Sequence, residues 1–222
     1  MTRLLTGVAM LIAALGTNIV FVALANAFDY PAILREPPAV VLGRFAATAS
    51  VRWLFAALAA LAALLVPVSV GLRGLDPHHF SSTARLAAVV GVLAGVVQVV
   101  GLLRWVFAVP ALAAAAADPS SAAAALVGFT VLHEYLGVGI GETLGYLTTA
   151  GWTVLVALGT LRRLGQPSWL RWFGVLCAAA VVIGVAEPFG FAAGGTVNFI
   201  GYVAWSAWLA ATGVLLLRRA RA

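Results

Sequence analysis

The segment HEYLGVGIGETLGY (His133–Tyr146) sets His133, Glu134 and Glu142 among four glycines in an otherwise apolar stretch. An imidazole can carry protons or ligate a metal, and a carboxylate can act as a base, a metal ligand or a receptor for a cation. Only 9% of the 222 residues are Asp, Glu, Lys or Arg, so each charge near hydrocarbon calls for a partner or a ligand. Arg104, in GLLRWVFAVP (Gly101–Pro110), is the basic group best placed to meet Glu142, while Tyr146, Glu187 and Tyr202 offer further polar groups. Residue types also exclude chemistry. All 13 basic residues are Arg, which rules out a lysine nucleophile or Schiff base. Cys177 is the single cysteine and lies in an apolar run, so neither an internal disulfide nor a CxxC site can form.

These residues must be positioned by membrane-spanning helices. Hydrophobic residues make up 64% of the chain and mean hydropathy is +1.09, against an apolar share of about 45–50% in soluble domains. The lipid bilayer is therefore the expected partner. The net charge of +6 comes from arginines dispersed at helix ends, a pattern of membrane topology and not of nucleic-acid binding. The fold class predicted is all-α, a polytopic bundle of six transmembrane helices with short interfacial helices on the external side, forming one domain over residues 1–222.

Taken in order, the first apolar run, Leu4 to Ala27, is long enough to cross a core of about 30 Å and reads as a retained helix despite the signal-like Ala25-Asn26-Ala27. Asn18 and Asp29 are spaced to share one face of it. Tyr30 to Ser50, with Pro31, Pro37 and Pro38, is too short to span and reads as interfacial or re-entrant. A second span runs from Val51 to Gly71 with a kink at Pro67, and the loop carrying Asp76, His78 and His79 is expected to be solvated, with Ser81 or Ser82 capping the next helix. The third span, Thr83 to Val109, carries Gly91 and Gly95 at close-packing spacing and should stop at Pro110.

An Ala-rich stretch broken at Asp118 follows, leading to a surface piece that ends at Tyr135. The fourth span is then Leu136 to Leu161, because a helix from Ser121 to Arg163 would be about 60 Å long, twice what a bilayer needs. Gly137, Gly141 and Gly145 give this span a flat packing face, and Glu142, Tyr146, Thr149 and Thr153 form a second, polar stripe. A fifth span, Ser168 to Glu187, and a sixth, Val197 to Leu217 with Asn198, Tyr202 and Trp205 on one face, complete the chain.

The arginines set the orientation. With the N-terminus inside, nine fall on the inner side (Arg3, Arg73, Arg85, Arg162, Arg163, Arg171, Arg218, Arg219, Arg221) and three outside (Arg35, Arg44, Arg52). Both termini are then cytoplasmic, and Arg104, His133, Glu142, Glu187 and Asn198 converge toward the external side.

The pairing of GLLRWVFAVP with YLGVGIGETLGYLTTAGWT (Tyr135–Thr153) resembles a family of bacterial integral membrane proteins labelled domain of unknown function 4386. The resemblance implies a six-helix domain in the bacterial inner membrane and carries no catalytic residue with it.

Three functions fit these residues. The first is binding or transport of a small molecule or lipid in an outward polar cavity lined by Arg104, Glu142, Tyr146, Glu187, Tyr202 and His133, with Arg104 and Glu142 as an ion pair; the competing reading of that pair is a tie that only locks two helices together. The second is a membrane enzyme using His133, Glu134, Glu142 and Glu187. No HExxH or Asp-rich motif supports it, a bis-histidine haem would need a second external His, and no cofactor or metal is expected. The third is a structural subunit docking a membrane-protein partner or a second copy of itself.

Overall fold

The computed structural model describes residues 2–221, with side chains through Arg219. The side chain of Arg221, counted above with the inner arginines, lies outside the described residues. Among the described residues all regular structure is helical. Six helices are long and apolar enough to cross a membrane: Arg3–Phe28, Ser50–Leu75, Ser82–Ala116, Ala122–Arg163, Ser168–Phe189 and Gly194–Arg219. The expected all-α polytopic bundle is thus present.

α1 (Arg3–Phe28) begins where the Thr2 hydroxyl accepts the Leu5 N–H at 3.3 Å and ends at Asp29, whose left-handed backbone (φ 56) turns the chain away. Asp29 therefore leaves the helix face it was expected to share with Asn18. Its carboxylate meets Arg44 at 3.7 Å, and the Asn18 amide donates within its own helix to the Ala14 carbonyl at 2.7 Å. A 3₁₀ turn, Ala32–Arg35, and α2 (Pro38–Ala47) follow. The second span is α3 (Ser50–Ala63) plus α4 (Leu65–Leu75), broken at Leu64 because Pro67 lacks an N–H and its ring displaces the Ala63 carbonyl.

Two expectations fail in the next pair of helices. α5 (Ser82–Ala116), capped by the Ser81 hydroxyl on the Ala84 N–H at 3.2 Å, runs straight through Pro110. Burial of Val106, Val109 and Ala113 on either side of the proline holds the helix where its lost hydrogen bond would otherwise end it. The fourth span starts at Ala122 and not at Leu136: α6 (Ala122–Leu132), a π-helical stretch (His133–Leu144), α7 (Gly145–Leu155), a π turn (Val156–Thr160) and α8 (Leu161–Arg163) form one continuous rod. The glycines at 137, 139 and 141 permit a wider helix without a break, so the backbone stays hydrogen-bonded throughout. At 35 and 42 residues these two helices outlast the 26-residue first and second spans by about 13 Å or more. They do so at the end away from the arginines, as a hairpin closed by Ala117–Ser121. α9 (Ser168–Ile183) with a 3₁₀ turn (Gly184–Phe189) and α10 (Gly194–Arg221) finish the fold.

The six spans form a ring in chain order, each packed on its predecessor and α10 closing on α1. Two apolar cores result. One lies within the ring around Met10, Trp152, Leu170, Trp205 and Trp208. The other, around Phe28, Phe45, Phe55, Trp105 and Phe129, joins α2 and the 3₁₀ turn to the extended α5–α6 hairpin. The polar groups of interest lie between the two.

Candidate functional site

Arg104 is reached about 30 Å along α5 from its start at the arginine-rich end, one hydrocarbon thickness away. Here α5 and the π stretch touch backbone to backbone: a Cβ on Gly101 would lie 2.6 Å from the Gly141 Cα. Gly145 meets Gln98 on the same helix, so the flat glycine face faces α5 as its spacing predicts. Gly137 leaves room for the arginine itself, since a Cβ there would lie 2.6 Å from Nη2. The Arg104 side chain thus lies against the π stretch and retains only 6% exposure. Nη1 donates to the Gly101 carbonyl, and Nη2 approaches His133 Nδ1 at 3.5 Å. Nε is buried with no acceptor among the described residues, as is the neighbouring Trp105 Nε1. The His133 ring stacks on Phe129, with centroids 5.7 Å apart.

Glu142 lies one helical turn beyond Gly137–Val138, half-buried, within the electrostatic reach of Arg104, Glu187 and Glu134. Tyr146 and Tyr202 bring their rings together at 5.7 Å beside it, and both feel its charge. Tyr30, in the turn after α1, completes the group. Burial pushes its phenol up to about 12, with Glu142 adding to the shift and Arg104 opposing it, so the hydroxyl stays protonated. Below them a polar ladder runs inward: Gln98 donates to the Thr149 hydroxyl at 3.0 Å, Thr153 to the Thr149 carbonyl at 2.7 Å, and the Trp205 indole to Thr153 at 2.7 Å. The polar stripe of the fourth span and the Asn198–Tyr202–Trp205 face of the sixth therefore both turn into the bundle.

The expected Arg104–Glu142 ion pair does not form. Ion pairs among the described residues are Arg35–Glu187, Arg44–Asp29 and Arg163–Asp76. Arg104 bends back onto the Gly101 carbonyl of its own helix, and the wide π turns carry Glu142 beyond contact. Glu187 sits at the rim, 3.5 Å from Arg35 with both side chains well exposed, and its carboxylate rests against Gly195 at the start of α10. Negative charge is favourable at that helix terminus. Among the described residues no three His, Cys, Asp or Glu side chains group as a metal site.

A second buried charge escaped the sequence reading. Asp76, placed above in a solvated loop, has a fully buried side chain. Its carboxylate accepts Thr160 Oγ1 at 2.9 Å, Arg163 Nε at 2.8 and 3.0 Å, Arg163 Nη2, and the His78 N–H at 2.9 Å. Burial alone would raise its pKa, but the bonds from Arg163, His78 and Thr160 together hold it below the usual 3.8. The clamp ties the second span to the fourth at the arginine-rich end. A lone acid amid four nearby arginines was the available signal. Tyr30 was missed as well, because a tyrosine beside a proline reads as ordinary interfacial loop.

Two open grooves, of about 450 and 280 Å³, lie between α2 and the α5 end near Pro110 and Ala113. Both are lined mainly by alanine, with Phe45 and Trp53 in the larger and Leu42 and Leu126 in the smaller, and none of the six expected ligand-binding residues borders either. No curated protein and no solved structure matches the chain. The two segments whose pairing suggested a family, Gly101–Pro110 and Tyr135–Thr153, are the ones that build the Arg104 site. A family model matches residues 5–219, almost the entire sequence, and the chain belongs to the family described as Domain of unknown function (DUF4386).

Proposed function

We propose that the protein is a single-domain, multi-pass protein of the bacterial inner membrane that binds a small molecule or lipid at the Arg104–Glu142 site from the external side, with both termini in the cytoplasm. One observation carries the proposal: a guanidinium buried between apolar helices has an unpartnered Nε and no carboxylate within ion-pair distance. A buried charge without a counter-ion is strongly unfavourable, and an anionic group from a ligand would supply it. His133 and Tyr30 lie near that position and Tyr146 and Tyr202 lie beside Glu142, giving polar groups that would orient a ligand. Binding is preferred over transport because the two three-helix halves of the sequence show no similarity of the kind that internal transporter repeats leave.

Native mass spectrometry on protein released from mild detergent tests this. The wild type should carry a non-protein adduct of defined mass, and Arg104→Met should lose it while unfolding at a similar temperature. A wild type free of any adduct, or an adduct that persists in Arg104→Met, overturns the proposal. Orientation is tested in a Cys177→Ala background: cysteines at Ser120 and Ala192, both exposed, should label from outside and one at exposed Arg162 should not. Gln166, which sequence alone would suggest as the inner reporter, is buried and unsuitable.

A further inference from the structure

Arg104 and Glu142 are opposite charges that share one site without neutralising one another. Each faces different chemistry. The Arg104 guanidinium presents donors that are only partly met: Nε has no acceptor among the described residues, Nη1 donates to the Gly101 carbonyl, Nη2 lies 3.5 Å from His133 Nδ1, and Gly137 forms the floor. These are the features of an anion receptor, since a guanidinium edge binds phosphate or carboxylate oxygens directionally. Glu142 accepts no side-chain hydrogen bond among the described residues. It borders the tilted Tyr146–Tyr202 ring pair, with Trp205 edge-on to Tyr202 at 6.1 Å. A carboxylate beside aromatic faces is the arrangement that receives an ammonium group, through charge and cation–π attraction together. The site's depth, about 30 Å from the arginine-rich end, coincides with the bilayer–water boundary.

We infer that the site recognises a zwitterion, a molecule carrying a phosphate or carboxylate close to an ammonium group, with the anion on Arg104 and the ammonium between Glu142 and the Tyr146–Tyr202 pair. This rests on the ligand site proposed above and specifies its occupant. A lipid headgroup and a free solute share the chemistry. Either would complete both charges at once, whereas a simple anion would leave Glu142 unanswered and a simple cation would leave Arg104 so.

The full-length protein in an uncharged detergent is titrated with O-phosphoethanolamine, alanine, inorganic phosphate and ethanolamine, and separately reconstituted in nanodiscs of phosphatidylethanolamine or phosphatidylglycerol. At least one zwitterion should bind tenfold or more tighter than phosphate or ethanolamine. If the solutes fail, phosphatidylethanolamine should raise the unfolding temperature above phosphatidylglycerol, identifying the lipid as the source. Glu142→Gln, isosteric and disturbing no hydrogen bond, should lower the zwitterion preference at least tenfold while leaving phosphate binding intact. Equal affinity for phosphate and the zwitterions, an unchanged preference in Glu142→Gln, or no response to any zwitterion would each overturn the inference. A co-purifying simple anion lost in Arg104→Met would still leave the ligand site standing, and no adduct at all would remove both.

Discussion

The protein buries charge in two places, and the two are built in opposite ways. At the arginine-rich end, Asp76 has every carboxylate lone pair engaged by Arg163, Thr160 and the His78 N–H. At the other end, Arg104 leaves a donor unmet and Glu142 stays outside ion-pair distance of it. Completed networks fix a structure, while incomplete ones hold interaction energy in reserve. The first site behaves as a helix lock and the second as a receptor.

Breaking the lock should have the largest effect. Arg163→Met leaves Asp76 buried and unpaired, a loss of about 3–5 kcal/mol in detergent unfolding, and Asp76→Asn combined with it should lose less than the sum of the two. If Arg163→Met proves neutral, the lock is not one. Because the Asp76 pKa is lowered on folding, its contribution is fully present above the ordinary carboxylate value of 3.8 and disappears only as pH falls through the lower folded value. Unfolding temperature measured from pH 8 to pH 5 should therefore show no step that Asp76→Asn removes.

Next in size, Gly101→Ala forces a methyl toward the Gly141 backbone, which cannot rotate aside. A loss of about 1–3 kcal/mol is expected, together with weakened ligand retention, because α5 and the π stretch separate. Gly43→Ala, in open space on α2, is the control and should cause no loss, with a gain of up to about 1 kcal/mol from the better helix former.

Arg104→Met should change the stability of ligand-free protein by no more than about 1 kcal/mol, or raise it, since no buried carboxylate loses its counter-ion. A loss as large as that of Arg163→Met would erase the distinction between the two sites. Smallest of all, Arg35→Ala and Arg44→Ala remove ion pairs whose arginines are 74% and 51% exposed. Each should shift stability by less than about 1 kcal/mol, a shift that vanishes in high salt.

Much of this was legible in the residues. Hydropathy places all six spans, and glycine spacing identifies the face of the fourth that meets α5. The positions of Arg104, His133, Glu142, Tyr146 and Tyr202 foretell a shared polar level. What was not legible depends on tertiary packing. Pro110 looks like a stop until the second core holds α5 on both sides of it. A span length estimated from bilayer thickness divides Ala122–Arg163 in two, because nothing local announces that two helices will brace each other past the ends of the other four. Counting from a helix end at Pro110 and a helix start at Leu136 sets Arg104 level with Glu142, and neither boundary holds in the folded chain. Asp76 resembles every other loop aspartate until Thr160 and Arg163 fold over it.

The overlong hairpin also makes demands on the lipid. Phe107, Val127 and Val131 remain 69%, 65% and 60% exposed on its outer surface, so the apolar flank on that side is taller than on the side formed by α1 and α10. A bilayer accommodates such a flank by thickening beside it, and the protein by leaning, each at a fraction of a kcal/mol per Å of mismatch. Acyl-chain length thereby becomes a variable acting on one side of this molecule, and the lean it sets falls where the π stretch joins the hairpin to the ring.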